Sequence, residues 1–293
     1  MQELARRSWP RGSHPGGLGW EAATSQLPAR LMLAVDGPLV DAAVAGWAGL
    51  YDSEFFMQAD PAGQAARMLT DWAVRTAASS ELTAPVFNGD EAVRSVLAEA
   101  GFTPAPDLGP VYGMFRAATS GGPTLPDGYR VRSVQPGELE ARVEVHRRAW
   151  RPFDRPFPGE VPATITPDMT SRFTAESYQR VRSTWLYDQG FDLVIQAPDG
   201  SLAACCIAWW DPELRCAEIE PLGVVPEHRR KGLAVGLCLE VGARVAAAGG
   251  ERVFINVGPD PGYPAPSAAY RAAGFEAVSR GSLYRRKPCG RCV

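Results

Sequence analysis

The clearest change of hydrophobic period in the chain falls between residues 217 and 275. Ala217 to Val224 alternates as a strand and is interrupted by Pro221, which cannot donate to a ladder and so marks a bulge or an end of pairing. A basic, glycine-bearing stretch follows, His228-Arg229-Arg230-Lys231-Gly232. Leu233, Leu237, Val241 and Val245 then recur at helical spacing, and Gly249-Gly250 closes that helix. Arg252 to Val257 reads as the next strand, Ser267 to Ala273 as a short helix behind Pro264-Ala265-Pro266, and Gly274-Phe275 as the entry to another strand. A strand that runs through glycine into a helix is an anion cradle. The unpaired amides of the first turn and the positive end of the dipole favour a phosphate by about 0.3 to 2 kcal/mol before any side chain contributes.

The loop resembles the signature of the GNAT superfamily of acyl-CoA-dependent N-acyltransferases: Arg or Gln, two residues, Gly, one residue, then Gly or Ala. Here these are Arg229, Gly232 and Ala234. The resemblance implies acetyl-CoA, or another acyl-CoA, as co-substrate. It places the pyrophosphate against Arg229, Arg230, Lys231, Gly232, Leu233, Ala234 and Val235, and the pantetheine arm along Leu222, Gly223 and Val224. It also implies that two strands splay after the break at Pro221. The family motif ends with a tyrosine four residues before a Gly-Phe pair, which matches Tyr270 and implies a proton donor to the departing thiolate. An Asn often found seven residues before that tyrosine is here Tyr263; Asn256 is a substitute at a position that is not equivalent.

Glu218 stands four residues before Leu222, where some family members carry a catalytic glutamate, and Glu220 follows on the same face by simple alternation. Two such carboxylates raise one pKa toward neutrality and attract a cationic amine. Either acid is a candidate base, and either is alternatively a solvated or Arg-paired side chain. The acceptor wall is expected between Trp150 and Trp185, from Trp150, Phe153, Phe157, Tyr178 and Trp185 with Asp154 and Glu160. These aromatics suit a small organic amine and equally suit core packing.

The chain also echoes itself. Arg6-Arg7-Ser8-Trp9 is repeated as Arg147-Arg148-Ala149-Trp150, Asp36-Gly37 and Trp47 as Asp199-Gly200 and Trp210, and Gly101-Phe102 as Gly274-Phe275. The offset grows along the chain, as expected of two copies with different loops. The fold class is therefore α/β (α+β), with two tandem GNAT-like lobes, each a mixed, mostly antiparallel sheet flanked by helices. That tandem arrangement resembles the mycothiol synthases and some acyltransferases of secondary metabolism. The first lobe reads as degenerate: Asp60 to Gln64 holds no cation, and Leu97 stands where the second lobe has Tyr270. Its opening strand is missing or supplied elsewhere. Boundaries are expected at 1–117 for the first lobe, 118–128 for a Gly/Pro/Ser/Thr-rich linker that packs poorly, 129–287 for the catalytic lobe and 288–293 for a tail.

A net charge of −3 over 293 residues gives no general attraction to nucleic acid, and no apolar run reaches a membrane span. A cytoplasmic enzyme, monomer or homodimer, is expected. Cys205, Cys206 and Cys238 read as buried small hydrophobes, and the lone Cys289-Gly-Arg-Cys292 as a tail without metal. His14, His146 and His228 are too scattered for a metal site, so no metal is expected. Three functions stay open: acyl transfer to a small-molecule amine, protein N-acetylation, and a non-catalytic acyl-CoA-binding scaffold.

Overall fold

The computed structural model describes residues 1–37, 43–60, 64–78, 80–150, 171–258 and 264–288. The chain forms two compact units, one of residues 1–112 with 279–293 and one of residues 113–278.

The first unit opens with α1 (Gln2–Ser8) and α2 (Pro15–Ala23), the latter capped by His14, whose Nδ1 accepts from Gly16 N at 3.1 Å. Then come β1 (Arg30–Asp36), β2 (Ala43–Tyr51), β3 (Glu54–Ala59), α3 (Gln64–Thr76), β4 (Leu82–Phe87), α4 (Glu91–Glu99) and the short β5 (Thr103–Pro104). β1, β2 and β3 pair antiparallel, and β3 meets β4 in parallel. One core lies against α3 and α4, with Leu69, Leu82, Leu97 and Phe102 buried; a second gathers Leu4, Leu18 and Trp47 beneath α1 and α2. β6 (Pro110–Ala117) carries the chain into the second unit.

The second unit has β7 (Arg130–Ser133), α5 (Leu139–Ala149), α6 (Ala175–Arg182), β8 (Asp192–Gln196), β9 (Leu202–Asp211), β10 (Cys216–Val224), α7 (Leu233–Ala247), β11 (Arg252–Ile255) and α8 (Ala265–Ala272). β7, β8, β9 and β10 pair antiparallel in that order, β10 meets β11 in parallel, and residues 114–117 of β6 lie antiparallel to β11. β9 sits between neighbours and buries both faces: Cys206 and Ala208 join the α7 core, whereas Cys205 joins Val145 of α5 and Val194. The α7 stripe read from the sequence, Leu233, Leu237, Val241 and Val245, is at most 2% exposed, each side chain contributing about 1.5 to 3 kcal/mol of burial. Residues 281–286 of the last strand, β12 (Glu276–Arg286), pair antiparallel with β4 of the first unit.

The two units share one order of elements: three antiparallel strands, a helix, a parallel strand and a second helix. The echoes fall at matching places. Trp9 and Trp150 are the C-cap residues of α1 and α5. Gly101 and Gly274 both have φ of +85°, and after them Phe102 N donates to Leu97 O at 2.9 Å as Phe275 N donates to Tyr270 O at 3.0 Å. Leu97 thus holds the backbone position of Tyr270.

The unit boundaries differ from those read in the sequence. They fall at 112/113 and 278/279, because the end of β6 pairs with β11 while the end of β12 pairs with β4. Arg280 shows how firmly that last strand is held. Its Nη2 donates to Pro10 O and Gly12 O, and its guanidinium lies 5.0 Å from the ring centres of Trp9 and Phe87. The stretch 118–128 also departs from expectation, since its one large apolar side chain, Leu125, packs on the α7 core and sits where a Cβ on Gly236 would be. Cys205, Cys206, Cys216 and Cys238 are buried, whereas Cys289 and Cys292 lie outside the described residues.

Candidate functional site

β10 pairs with β11 only from Cys216 to Glu218, although it continues to Val224. The two strands therefore part beyond Glu218. On the β9 side the register shifts between Ile219 and Leu222, around the cis Glu220–Pro221 peptide, so Pro221 marks the bulge, while pairing with β11 has already ended at Glu218. Trp209 Nε1 donates to Glu220 O at 2.6 Å and fixes the backbone there. One extra residue reverses alternation. Ala217 and Ile219 face the α7 core, and after the bulge Leu222 and Val224 face it too. Gly223 turns to the other face, where a Cβ would lie 2.3 Å from Trp150 Cζ3 and 2.8 Å from Ala149 Cβ, so this position accommodates no larger side chain. The β11 chain leaves its strand through a tight turn, Val257 N to Ile255 O at 2.9 Å, with Asn256 exposed in it.

From Val224 the chain makes a turn over Pro226–His228 and enters α7. Arg230 has φ of +63° and Gly232, the N-cap, has φ of +77°. The first helical bond is Gly236 N to Gly232 O. No side chain caps the helix, which leaves the amides of Leu233, Ala234 and Val235 without an intrahelical acceptor. These are the amides to which the sequence analysis assigns an anion.

The loop's cations are not equivalent. Arg229 Nε donates to Val224 O and Nη2 to Ala149 O, both at 3.0 Å, tying the end of β10 to the end of α5. Lys231 Nζ donates to Tyr129 OH at 2.9 Å, and that hydroxyl lies 3.0 Å from His228 Nδ1. Burial, then Lys231, lowers the His228 pKa. Arg230 is exposed.

Glu218 is 3% exposed and stands between Trp209 and Phe254 on the adjoining strands. Glu220 is half-buried, and the bulge that follows it is what simple alternation misses. Tyr270 is half-buried on α8, packed with Leu222 and Val224 on the α7 core, its ring 6.1 Å from Phe275.

The expected acceptor wall is only partly described: Phe153, Asp154, Phe157 and Glu160 lie outside the described residues, as does Tyr263. Trp150 and Trp185 are exposed to 41% and 39%. Tyr178 instead enters a buried network. Asp192 accepts from Arg142 Nε at 2.7 Å, from Tyr178 OH at 2.7 Å and from Tyr187 OH at 3.0 Å. Arg142 and Asp192 are both fully buried. Burial works against the arginine's charge, but Asp192 beside it keeps the guanidinium protonated. Burial and then Asp192 push the Tyr187 hydroxyl up to about 12. Along the same face of α5, His146 stacks on Trp150 with ring centres 4.2 Å apart. The sequence reading passed over this row, although Arg142, His146 and Trp150 recur every four residues. Among the described residues no group of three or more His, Cys, Asp or Glu side chains could hold a metal, and no helix is long and apolar enough to cross a membrane.

Residues 160–275 match the sequence profile of the acetyltransferase (GNAT) family. No curated protein matches the chain. Its fold is similar to that of a GCN5-related N-acetyltransferase from Sphaerobacter thermophilus, with 19% identity, a TM-score of 0.51 and coverage of 87% of this chain and 80% of that one. It is also similar to a tandem GNAT protein from the clavulanic acid biosynthesis pathway, determined without acetyl-CoA, with 16% identity, a TM-score of 0.54 and coverage of 99% and 95%.

Proposed function

We propose that this chain, whose residues 160–275 match the profile of the acetyltransferase (GNAT) family, transfers an acetyl or other short acyl group from an acyl-CoA to the amine of a small molecule. The observation that carries the reading is the parting of β10 from β11 beyond Glu218, on a strand that leads through the Pro226–Gly232 loop to the start of α7, where no side chain caps the helix. An extended chain of amides fits the opened edge along Leu222 to Val224, and a pyrophosphate fits the amides of Leu233 to Val235 with Arg230 beside them. Arg229 builds the loop, and Lys231 contributes charge from its place on Tyr129.

The chemistry needs a neutral amine, a stabilised oxyanion and a proton for the thiolate. Glu218, at the point where the strands part, takes the proton from the attacking nitrogen, directly or through a water; Glu220 is the runner-up and an anchor for a cationic acceptor. As the new C–N bond forms and the C–S bond breaks, Tyr270 donates its hydroxyl proton to sulfur. Asn256, exposed at the end of β11, is suited to a polar contact with the pantetheine arm.

Calorimetric titration with acetyl-CoA should give one site per chain, since the corresponding sequence of the first unit, Asp60 to Gln64, contains no cation. Gly232→Val should abolish binding: a Cβ at Gly232 meets no atom within 4 Å, so the penalty is the left-handed backbone itself, about 1 to 3 kcal/mol, with displacement of the loop. A panel of amines read by release of free thiol then separates the functions. Turnover with peptide N-termini alone would favour protein acetylation, and binding without thiol release from any amine would favour the scaffold.

A further inference from the structure

In the second unit the outer edge of β8 is covered by β7, which runs antiparallel from Arg130 to Ser133 against Gln196 to Leu193. β1 takes the place of β8 in the first unit, as the first of three antiparallel strands before the parallel step. Among the described residues no strand covers its outer edge. Yet β1 is apolar there. Leu31, Met32 and Val35 are each more than a third exposed and Leu33 is 45% exposed. Met68, on the helix that packs against β1, is 54% exposed.

Open edges are normally blunted by lysine, proline or an inward charge, because their free N–H and C=O groups template further pairing. Leu31 to Val35 has none of these, and the strand's only charges are Arg30 at one end and Asp36 at the other. The irregularity near Ala34 and Val35 skips Ala45 of β2, so β1 itself runs unbroken.

We propose that a second copy of this chain covers this edge, β1 pairing antiparallel with β1 of the copy about a two-fold axis through Leu33. In that register Leu31 faces Val35, Met32 faces Ala34, and Arg30 of each copy faces Asp36 of the other. Sliding the register by two residues in either direction, which keeps the faces matched, breaks both charge pairs. The strand is thus self-complementary in charge and in apolar content, as an isologous contact requires. This surface is independent of the acyl-transfer reading.

Analytical ultracentrifugation of the full chain over a concentration series tests it. The wild type should dimerise, and Leu33→Lys and Asp36→Arg should each weaken the dimer about tenfold or more, the latter by setting like charges together at both ends. Arg30→Asp combined with Asp36→Arg restores opposite charges and should return the affinity to within about threefold of wild type. Circular dichroism of each variant checks folding; if Leu33→Lys does not fold, the two charge variants, Asp36→Arg and its double with Arg30→Asp, decide. A chain monomeric at every concentration overturns the proposal and leaves the edge to another occupant. So does a dimer indifferent to these substitutions, or a folded double variant that fails to recover.

Discussion

His146 offers a test in which the sign and the size both follow from its surroundings. It is 4% exposed, between Trp150 at 4.2 Å and Phe173 at 4.3 Å between ring centres. Burial first, and the Arg142 guanidinium one turn back second, lower its pKa from 6.5 to about 3. Between these values the unfolded chain binds a proton that the folded chain does not. Stability therefore rises with pH through that window and is lost on acidification. With these two pKa values the loss is about 2 kcal/mol at pH 5 and about 3 kcal/mol at pH 4. The comparison protein is His146→Phe, which keeps a flat ring between Trp150 and Phe173 and cannot titrate.

Urea unfolding of both proteins from pH 8 to pH 5 isolates the residue, because carboxylates that titrate in the same range are common to both. The wild type should lose about 2 kcal/mol more than the variant over that interval. Parallel curves would refute the reasoning, since they would mean that His146 takes up its proton while folded. The same value bears on catalysis. An imidazole with a pKa near 3 is a poor base at neutral pH, so His146→Phe should leave the acidic limb of the pH–rate profile in place.

Glu218→Gln should lower turnover by about 100- to 10,000-fold and flatten that acidic limb, with acetyl-CoA affinity nearly unchanged; if Glu220→Gln does this instead, the two roles are exchanged. Tyr270→Phe keeps the ring beside Phe275 and removes only the proton donor, so turnover should fall while melting temperature and acetyl-CoA affinity hold; near-normal turnover with lowered melting would make Tyr270 a packing residue. Asp192→Asn leaves the Arg142 guanidinium fully buried without a counterion and should cost about 3 to 5 kcal/mol in urea unfolding; a loss under about 1 kcal/mol would mean that Arg142 finds another partner or reaches water.

What was legible in the sequence was local. The strand break at Pro221, the stripe from Leu233 to Val245 and the Gly-Phe closures of both units follow from backbone rules that act within a few residues. The repeat was legible for the same reason, because Trp9 and Trp150 mark the ends of equivalent helices. The unit boundaries were not. Whether residues 114–117 and 281–286 pair with β11 or β4 depends on partners more than a hundred residues away, and period-2 alternation carries no address. The reversal of facing after Glu220 was hidden too, since a sequence announces that a bulge is present without saying which residue becomes the extra one.

The cations of the loop mark the limit of reading charge as function. Three consecutive basic residues at a glycine turn that opens a helix look like three ligands, but the fork of Arg229 is taken by Val224 O and Ala149 O, and Lys231 is drawn to Tyr129. A guanidinium that holds two carbonyls on separate elements fixes their separation, so Arg229 sets where β10 ends relative to α5 and hence where Gly223 meets Trp150. Under the proposed acyl-CoA reading, the anion's direct contacts fall to the backbone of Leu233 to Val235 and to Arg230, whose left-handed conformation is part of the same turn. In this loop the side chains mainly shape the site, and the amides are positioned to bind.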